Sequence, residues 1–404
     1  MLKNYRDDFP TLSGDHPPAY LDNACVTLKP QSVIDTIHRY YTETPGCGGR
    51  SVHRYGTAVS KSVSEARNKL ARFLNAPSPN EIVFTRNATH SINQVAQGLN
   101  WDKGDVVLTT DREHNSNLVP WLQLEQEQGI DHRVVPSHPD NTFDMEAFEA
   151  ACAEAGTNLK MVAMSHVGNL DGIEIPVAEV AKVARDHDAL VAIDGAQSTP
   201  HMNVDVQALD IDFLSFSIHK MCGPSGMGGL WGRYDLLDGM RTIQSGGQTV
   251  QTSSYTDATW AAPPARFEGG LGNFSGMMAT GAAIDYLSKL DMDAVHEHEI
   301  ALNRIMTEGV KDLPGVSIIG PEDPTKRGGI CSMLMDDLPA HDVALLLDEA
   351  AGVMVRSGQH CVHSWFADRG HSQGSLRASA YLYNNEEDVK RFVDTLTEIV
   401  HTLS

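Results

Sequence analysis

Short runs of apolar and β-branched residues alternate with stretches of helical periodicity through the first half of the chain. This alternation predicts βαβ units, in which helices cover a mostly parallel sheet. Two runs, at 160–165 and 190–194, are almost wholly apolar, as expected for strands buried on both faces. The predicted strands are Glu81–Thr85, Val106–Thr109, His132–Val135, Lys160–Ser165, Leu190–Asp194 and Asp212–Ser217, and the predicted helices lie near 59–74, 88–99, 116–128, 143–155 and 176–187. The pattern predicts an α/β fold.

The pattern changes after about residue 235. Residues 242–273 are rich in Gly, Gln, Ser, Thr and Pro, which predicts a long ordered loop, and such loops are usually functional. A length of 404 residues suits about two domains. We expect residues 21–280 to form a large domain, residues 281–404 a smaller α+β domain, and residues 1–20 a segment that packs with the small domain. Helices are predicted near 275–290, 294–312 and 385–402.

Acidic residues outnumber basic ones, with 53 Asp and Glu against 31 Lys and Arg and a formal net charge of −22. Such a surface repels phosphate backbones and anionic membranes, so neither nucleic acid nor membrane is expected as a partner. No apolar run approaches the roughly 20 residues that span a bilayer. The N-terminal MLKNYRDDFP lacks the apolar core of a signal peptide. The six Cys show no CxxC spacing, which suits free thiols in a reducing cytoplasm.

Polar side chains follow several predicted strands at the point where each strand ends. Asp194 ends one strand, Lys220 follows the next along the chain, and His114 and Asn169 follow two others. The Gly-rich residues 223–229, which we expect to form a loop, come after Lys220. Because ligands bind outside the carboxyl ends of strands in open α/β sheets, we expect these side chains to converge on one rim.

That set of side chains suits pyridoxal phosphate. The cofactor needs a Lys for its Schiff base and a carboxylate that keeps its pyridine nitrogen protonated, so that the ring accepts electrons. Its phosphate needs hydroxyls and backbone N–H groups at a helix N-terminus, which residues 85–90 could supply. Each residue alone is weak evidence, because a strand-ending Asp is often a cap and a Lys is usually solvated. The Gly-rich stretch lacks the GK[ST] ending of a nucleotide-binding loop.

Nine sequence motifs, spread in a fixed order over nearly the whole chain, agree with a pyridoxal-phosphate site. They are YLDNAC at 20–25, VHR at 52–54, IVFTR at 82–86, EHNSN at 113–117, VAIDGAQS at 191–198, SIHK at 217–220, RFE at 266–268, VRSGQHC at 355–361 and RAS at 377–379. With them the sequence resembles the fold-type I pyridoxal-phosphate enzymes of aminotransferase class V, specifically the SufS-type cysteine desulfurases. The resemblance implies a homodimer whose large domain holds a mostly parallel seven-stranded sheet and whose smaller α+β domain carries a catalytic Cys loop.

The resemblance also implies a role for each site residue. Lys220 would form the Schiff base and move the proton at the substrate Cα, and Asp194 would pair with the pyridine nitrogen. The Cys361 thiolate would attack the substrate sulfur. Of the others, Gln197 would bind the phenolic oxygen, His114 would stack on the ring as an acid or base, Thr89, Ser217 and His219 would hold the phosphate, Asn169 and Arg377 would grip the substrate carboxylate, and Arg356 would line the same pocket.

Cys361 distinguishes between members of the family. We expect its thiolate to be favoured by positive charge from His360, His363 and Arg356. By residue type alone, a free Cys is more often an inert buried side chain, and no second ligand pair with zinc spacing supports a metal site here. The resemblance favours a nucleophile and no metal. Cys25 stands where the family commonly has Ala, and we expect it only to pack.

These residues imply a pyridoxal-phosphate-dependent L-cysteine desulfurase. It would release L-alanine and leave a persulfide on Cys361, whose sulfur would pass to an acceptor or scaffold protein of iron–sulfur cluster assembly or to another sulfur pathway. A selenocysteine lyase could use the same residues, and a class V aminotransferase or epimerase shares the scaffold without needing the thiol. A catalytically silent sulfur carrier would not need Lys220 and Asp194.

Overall fold

The computed structural model describes residues 3–336 and 338–403, so residues 1, 2, 337 and 404 of the predicted domain ranges lie outside it. Its strands are β1 Ala19–Tyr20, β2 Ile82–Thr85, β3 Val106–Thr110, β4 Asp131–Val135, β5 Leu159–Ser165, β6 Leu190–Asp194, β7 Phe213–Ser217, β8 Gly228–Gly232, β9 Val250–Ser253, β10 Ala258–Trp260, β11 Val316–Ile318, β12 Ile330–Met335, β13 Val353–Met354, β14 Arg356–Gly358 and β15 Ser375–Ser379. Its α-helices are α1 Gln31–Glu43, α2 Arg54–Phe73, α3 Ala88–Gly98, α4 Asn115–Gln128, α5 Met145–Ala155, α6 Val177–Asp186, α7 Tyr234–Gly239, α8 Phe274–Leu287, α9 Met292–Val310, α10 Ala340–Ala351, α11 His363–Asp368 and α12 Glu386–Leu403.

A seven-stranded sheet with the order β2-β8-β7-β6-β5-β3-β4 forms the centre of the protein. Its neighbours from β7 to β4 are parallel, and β8 runs antiparallel to both β7 and β2. The prediction of a large, mostly parallel sheet is confirmed. Every predicted strand is present, with ends within one residue of those expected.

Strand β8 was not predicted, and two of its residues belong to the stretch that we expected to form a loop. Its sequence, GGLWG, has no apolar periodicity, because the space beside its glycines is filled by other residues. The Phe216 ring occupies the place of a side chain at Gly229, and the backbone of Asn87 lies against Gly228. Glycine is required here by close approach and not by a turn.

The segment 242–273 contains more regular secondary structure than expected. It contains the antiparallel pair β9 and β10, with Thr252 opposite Thr259. The hydroxyls of these two residues lie 2.6 Å apart. The prediction of a loop without regular elements was therefore wrong in part, because short runs of Thr and Ser carry little strand periodicity.

A second, four-stranded antiparallel sheet has the order β11-β12-β15-β14. The N-terminal segment lies against this part of the chain, since β1 pairs in parallel with β13 and Arg6 forms an ion pair with Asp388 at 2.5 Å. The predicted domain boundaries at residues 20 and 280 stay predictions. Within the part of the chain that the structure covers, no helix combines the length and apolar character that crossing a membrane needs. Helices α9, α10 and α12 share an apolar core with this sheet, made by Leu302, Met306, Val343, Leu347, Phe392 and Leu396 among others.

Gly228→Ala tests the close approach of β8 to the start of α3. The added Cβ would lie 2.7 Å from the backbone nitrogen of Asn87, so strand and helix must separate. We expect the free energy of unfolding to fall by about 1–3 kcal/mol, measured by denaturant titration. The control is Gly239→Ala, whose Cβ meets nothing within 4 Å. Equal stability of the two variants would contradict the assigned contact.

Candidate active site

The structure brings all predicted site residues together around one cavity of about 210 Å³. Asp194 is the last residue of β6, and Lys220 ends a single 3₁₀ turn that follows the neighbouring parallel strand β7. Strand order and direction therefore carry both side chains to the same edge of the sheet. The residues around the cavity include Thr89, His114, Asn169, Asp194, Gln197, Ser217, His219, Lys220, Arg356, Cys361 and Arg377.

Burial shifts the pKa values of the two titratable groups at this edge, Asp194 and Lys220, in opposite directions. It raises the pKa of Asp194 to about 6, although the Ala196 N–H at 2.9 Å and the Lys220 charge both favour the carboxylate. It lowers the pKa of Lys220, and Asp194 opposes that effect. Since an amine is nucleophilic only when neutral, the site moves Lys220 towards its reactive form.

His114 caps the N-terminus of α4. Its Nδ1 accepts the backbone N–H of Ser116 at 3.0 Å, which leaves the ring proton on Nε2. Burial, followed by the charges of Lys220 and Arg377, lowers the His114 pKa to about 3. The ring at the cavity wall is therefore neutral, with an N–H to donate.

Glu113 fixes the backbone next to His114, a role that was not predicted from the sequence. Its fully buried carboxylate accepts hydrogen bonds from Thr110 Oγ1 at 2.7 Å, Asn117 Nδ2 at 2.8 Å and Ser165 Oγ at 2.6 Å. These contacts join the ends of β3 and β5 to the first turn of α4. An acidic residue beside His114, four residues before an Asn, was the only signal in the sequence.

The N-terminus of α3 forms another wall of the cavity. Asn87 caps the helix, and the Ala88 N–H donates to Ser217 Oγ at 3.0 Å. Thr89 adds a second hydroxyl to the same wall. Burial lowers the pKa of His219 to about 4, so its ring is neutral. Hydroxyls beside the positive end of a helix dipole suit a phosphate group.

Two arginines enter the cavity from the four-stranded sheet. The register of β14 and β15 places Arg356 opposite Arg377. Arg377 is only 1% exposed and donates Nη1 to the Asn169 carbonyl at 2.8 Å and Nη2 to Asp22 at 3.4 Å. Its Nε has no partner among the described residues. A buried guanidinium with a free donor is suited to a carboxylate ligand.

Cys361 lies in the loop between β14 and α11 and is half-buried. His360 and Cys361 have φ angles of 48° and 61°, in the left-handed region that such residues seldom adopt. The Asn115 N–H donates to the Cys361 carbonyl at 2.7 Å and the Asn169 side chain to the His360 carbonyl at 2.8 Å. Strain of this kind persists only where surrounding contacts impose it, and it is frequent at functional sites.

The expectation that His360 supplies positive charge to Cys361 was wrong. Burial, together with Arg377 and Arg356, lowers the His360 pKa strongly, so the ring is neutral. Its Nε2 lies 2.9 Å from Ser375 Oγ. The cations that line the same cavity as Cys361 are the guanidinium groups of Arg356 and Arg377.

Comparison with known proteins agrees with this arrangement. The profile of the family "Aminotransferase class-V" matches residues 19–392, and the chain belongs to that family. A probable cysteine desulfurase of Halalkalibacterium halodurans is 38% identical over 94% of this chain and 93% of its own. The apo structure of a cysteine desulfurase from Thermococcus onnurineus NA1 is 33% identical and superposes with a TM-score of 0.94 over 100% of both chains. The S-sulfonic acid form of an Escherichia coli cysteine desulfurase is 30% identical with a TM-score of 0.91, over 99% of this chain and 98% of its own.

The raised pKa of Asp194 predicts a pH-dependent cost of folding in protein freed of any cofactor. Protonation of Asp194 stabilises the folded state fully below the ordinary value of 3.8, and this contribution is lost as the pH rises through about 6. Asp194→Asn stays neutral throughout. We therefore expect it to exceed wild type in unfolding free energy by on the order of 1–3 kcal/mol above pH 6, with the difference shrinking towards about pH 4.

Denaturant titrations across this pH range, with the exposed Asp186→Asn as control, measure the effect. A difference between Asp194→Asn and wild type that does not change with pH would contradict the burial of a charged carboxylate.

Proposed function

We propose that this protein is a pyridoxal-phosphate-dependent L-cysteine desulfurase. The observation that carries the proposal is the presence of Lys220, Asp194 and Cys361 around a single cavity. A lysine and a buried carboxylate at adjacent strand ends suit the cofactor, and the thiol adds what sulfur chemistry needs. The cysteine desulfurases with which the chain shares its fold and up to 38% of its sequence support the assignment.

The unpartnered polar groups of the cavity fit pyridoxal phosphate. Gln197 is 3% exposed and donates Nε2 to the Ala24 carbonyl at 2.7 Å, and its Oε1 has no partner in the part of the chain that the structure describes. Asp194 would hold the pyridine nitrogen as a cation, and the wall formed by Thr89 and Ser217 would hold the phosphate. When bound, the cofactor withdraws electrons from the substrate Cα and so makes its proton acidic.

The remaining residues bind the substrate and move its protons. Arg377 and Asn169 would hold the carboxylate, since the buried Arg377 Nε meets no acceptor in residues 3–336 and 338–403. This fixes the amino acid with its Cα towards Lys220. The Lys220 amine would take the Cα proton, because its lowered pKa leaves it free to accept one. The neutral His114 would offer its Nε2 proton from the cavity wall.

Cys361 would accept the sulfur. Its thiolate forms a bond to the substrate sulfur as the bond between that sulfur and the substrate Cβ breaks. The electron pair of the broken bond stays with the carbon skeleton, which takes up protons and leaves as alanine. A persulfide remains on Cys361. An aminotransferase on this scaffold would not need the thiol, whereas a selenocysteine lyase would use the same groups.

We also propose a sulfur acceptor, a compartment and a homodimer. The persulfide sulfur would pass to an acceptor protein of iron–sulfur cluster assembly. The free thiols support a location in the reducing cytoplasm. A homodimer is supported by the large apolar side chains exposed at Tyr255, Trp260 and Leu271, in and after the β9–β10 hairpin. Large apolar side chains exposed within one short segment of the chain favour a protein contact there.

Cys361→Ser tests the proposed activity. The variant keeps the cavity but loses the nucleophilic sulfur, so alanine release from L-cysteine with reductant should fall on the order of 100-fold or more. Cofactor absorbance should be unchanged. The matched control is Cys47→Ser, a half-buried thiol outside the cavity, which should retain wild-type rates. Alanine release by Cys361→Ser at the wild-type rate, or none by wild type with the cofactor bound, would refute the assignment.

A further inference from the structure

The active-site cavity holds a second thiol. Cys25 lines the cavity together with Cys361 and is half-buried, as Cys361 is. Cys25 was expected only to pack, but its sulfur contacts Arg356 and its side chain lines the cavity. Among the described residues no other Cys lines this cavity.

A charged donor contacts the Cys25 sulfur. Arg356 Nη1 lies 2.8 Å from Cys25 Sγ, and this is the single side-chain hydrogen bond that Arg356 makes within the described part of the chain. The nearby Asp22 carboxylate contacts Arg377 instead, at 3.4 Å, so the Arg356 guanidinium donates to the Cys25 sulfur. A charged N–H donor is a suitable partner for anionic sulfur, the nucleophilic form of Cys.

The turn that carries Cys25 is held from both sides. Asn23 is fully buried and donates Nδ2 to the Ser379 carbonyl at 2.6 Å, on β15. The Thr27 N–H donates to the His219 carbonyl at 3.1 Å, next to Lys220. Cys25 is thereby fixed relative to the 3₁₀ turn that ends at Lys220 and to the four-stranded sheet, whose strand β14 leads into the Cys361 loop.

Both sulfurs line the same cavity as the Lys220 amine. Cys25 and Cys361 each act to raise the Lys220 pKa, against the larger lowering by burial. Among the described residues, three polar atoms on side chains around this cavity that are more than nine-tenths buried have no partner, namely Arg377 Nε, Gln197 Oε1 and His360 Nδ1. Because buried polar atoms are normally satisfied, a ligand is expected beside them, and the two thiols line the cavity that would hold it.

We propose that Cys25 receives the sulfane sulfur from the Cys361 persulfide; the proposal rests on the desulfurase function above. The Cys25 thiolate attacks the outer sulfur of the persulfide, a bond forms from Cys25 Sγ to that sulfur, and its bond to Cys361 Sγ breaks. Cys361 leaves as a thiolate and Cys25 holds the persulfide, whose terminal sulfur faces the Arg356 guanidinium. The exchange involves no net oxidation or reduction, and the proton lost by Cys25 is available to Cys361.

The relay frees Cys361 before any external acceptor arrives. A second L-cysteine can then react, so each active site stores one sulfur on Cys25 and a second on Cys361. In the absence of reductant and acceptor, the initial burst of alanine per cofactor should be twice as large for wild-type protein as for a variant without Cys25.

The test is rapid-quench measurement of this burst for the holoenzyme, with alkylation and peptide mass spectrometry to locate persulfides. Cys25→Ser should halve the burst while keeping the cofactor absorbance, and Cys47→Ser should leave the burst at the wild-type value. Wild type should carry persulfide on both Cys25 and Cys361. Cys361→Ser should carry none on Cys25.

The outcomes separate the relay from the desulfurase function. Alanine release with persulfide on Cys361 alone, or an equal burst from wild type and Cys25→Ser, overturns the relay and leaves the desulfurase intact. Persulfide on Cys25 in Cys361→Ser also overturns the relay, because Cys25 would then take sulfur from the substrate directly. No alanine from cofactor-loaded wild type overturns both proposals.

Discussion

The burial of Lys220 beside Asp194 is the constraint on which the site depends. Neighbouring parallel strands deliver both residues to one edge of the sheet, where loss of water penalises each charge. A cofactor that offers a protonated nitrogen to Asp194 and a carbonyl carbon to Lys220 would relieve both penalties. The groups are thus destabilised in the absence of the ligand that they are suited to hold.

The cavity differs in charge from the molecule that surrounds it. The chain carries a formal net charge of −22, yet two arginines, Arg356 and Arg377, line the cavity together with one acid, Asp194. An acidic exterior favours solubility, whereas the two guanidinium groups attract an amino-acid carboxylate. The two arginines share one antiparallel register, so a single strand pair contributes both.

Much of the fold could be predicted from the sequence because buried parallel strands are nearly uniform apolar runs. β5 and β6 carry that signal in full, and their ends follow from the polar residues Ser165 and Asp194. β8 could not be found in this way. Its glycines are selected by the Phe216 ring and the Asn87 backbone, which are distant in sequence and meet it only in the folded chain.

The site residues likewise include some that could be placed from the sequence and some that could not. Lys220 and Asp194 could be placed because each follows a strand, and strand direction brings them together. The neutral state of His360 could not, since it depends on burial and on arginines from two other strands. Cys25 resembled a packing residue until the pairing of β1 with β13 and the contact with Arg356 placed it at the cavity.

Borohydride reduction of the pyridoxal-phosphate-loaded protein, followed by peptide mapping of the fixed cofactor, tests the account most directly. Lys29 is the rival amine, because burial lowers its pKa to about 8 and its Nζ lies 3.0 Å from the His219 carbonyl. We predict that the cofactor is attached to Lys220 alone. Attachment to Lys29, or no covalent attachment to protein that binds the cofactor, would contradict the assignment of Lys220 and Asp194 as its site.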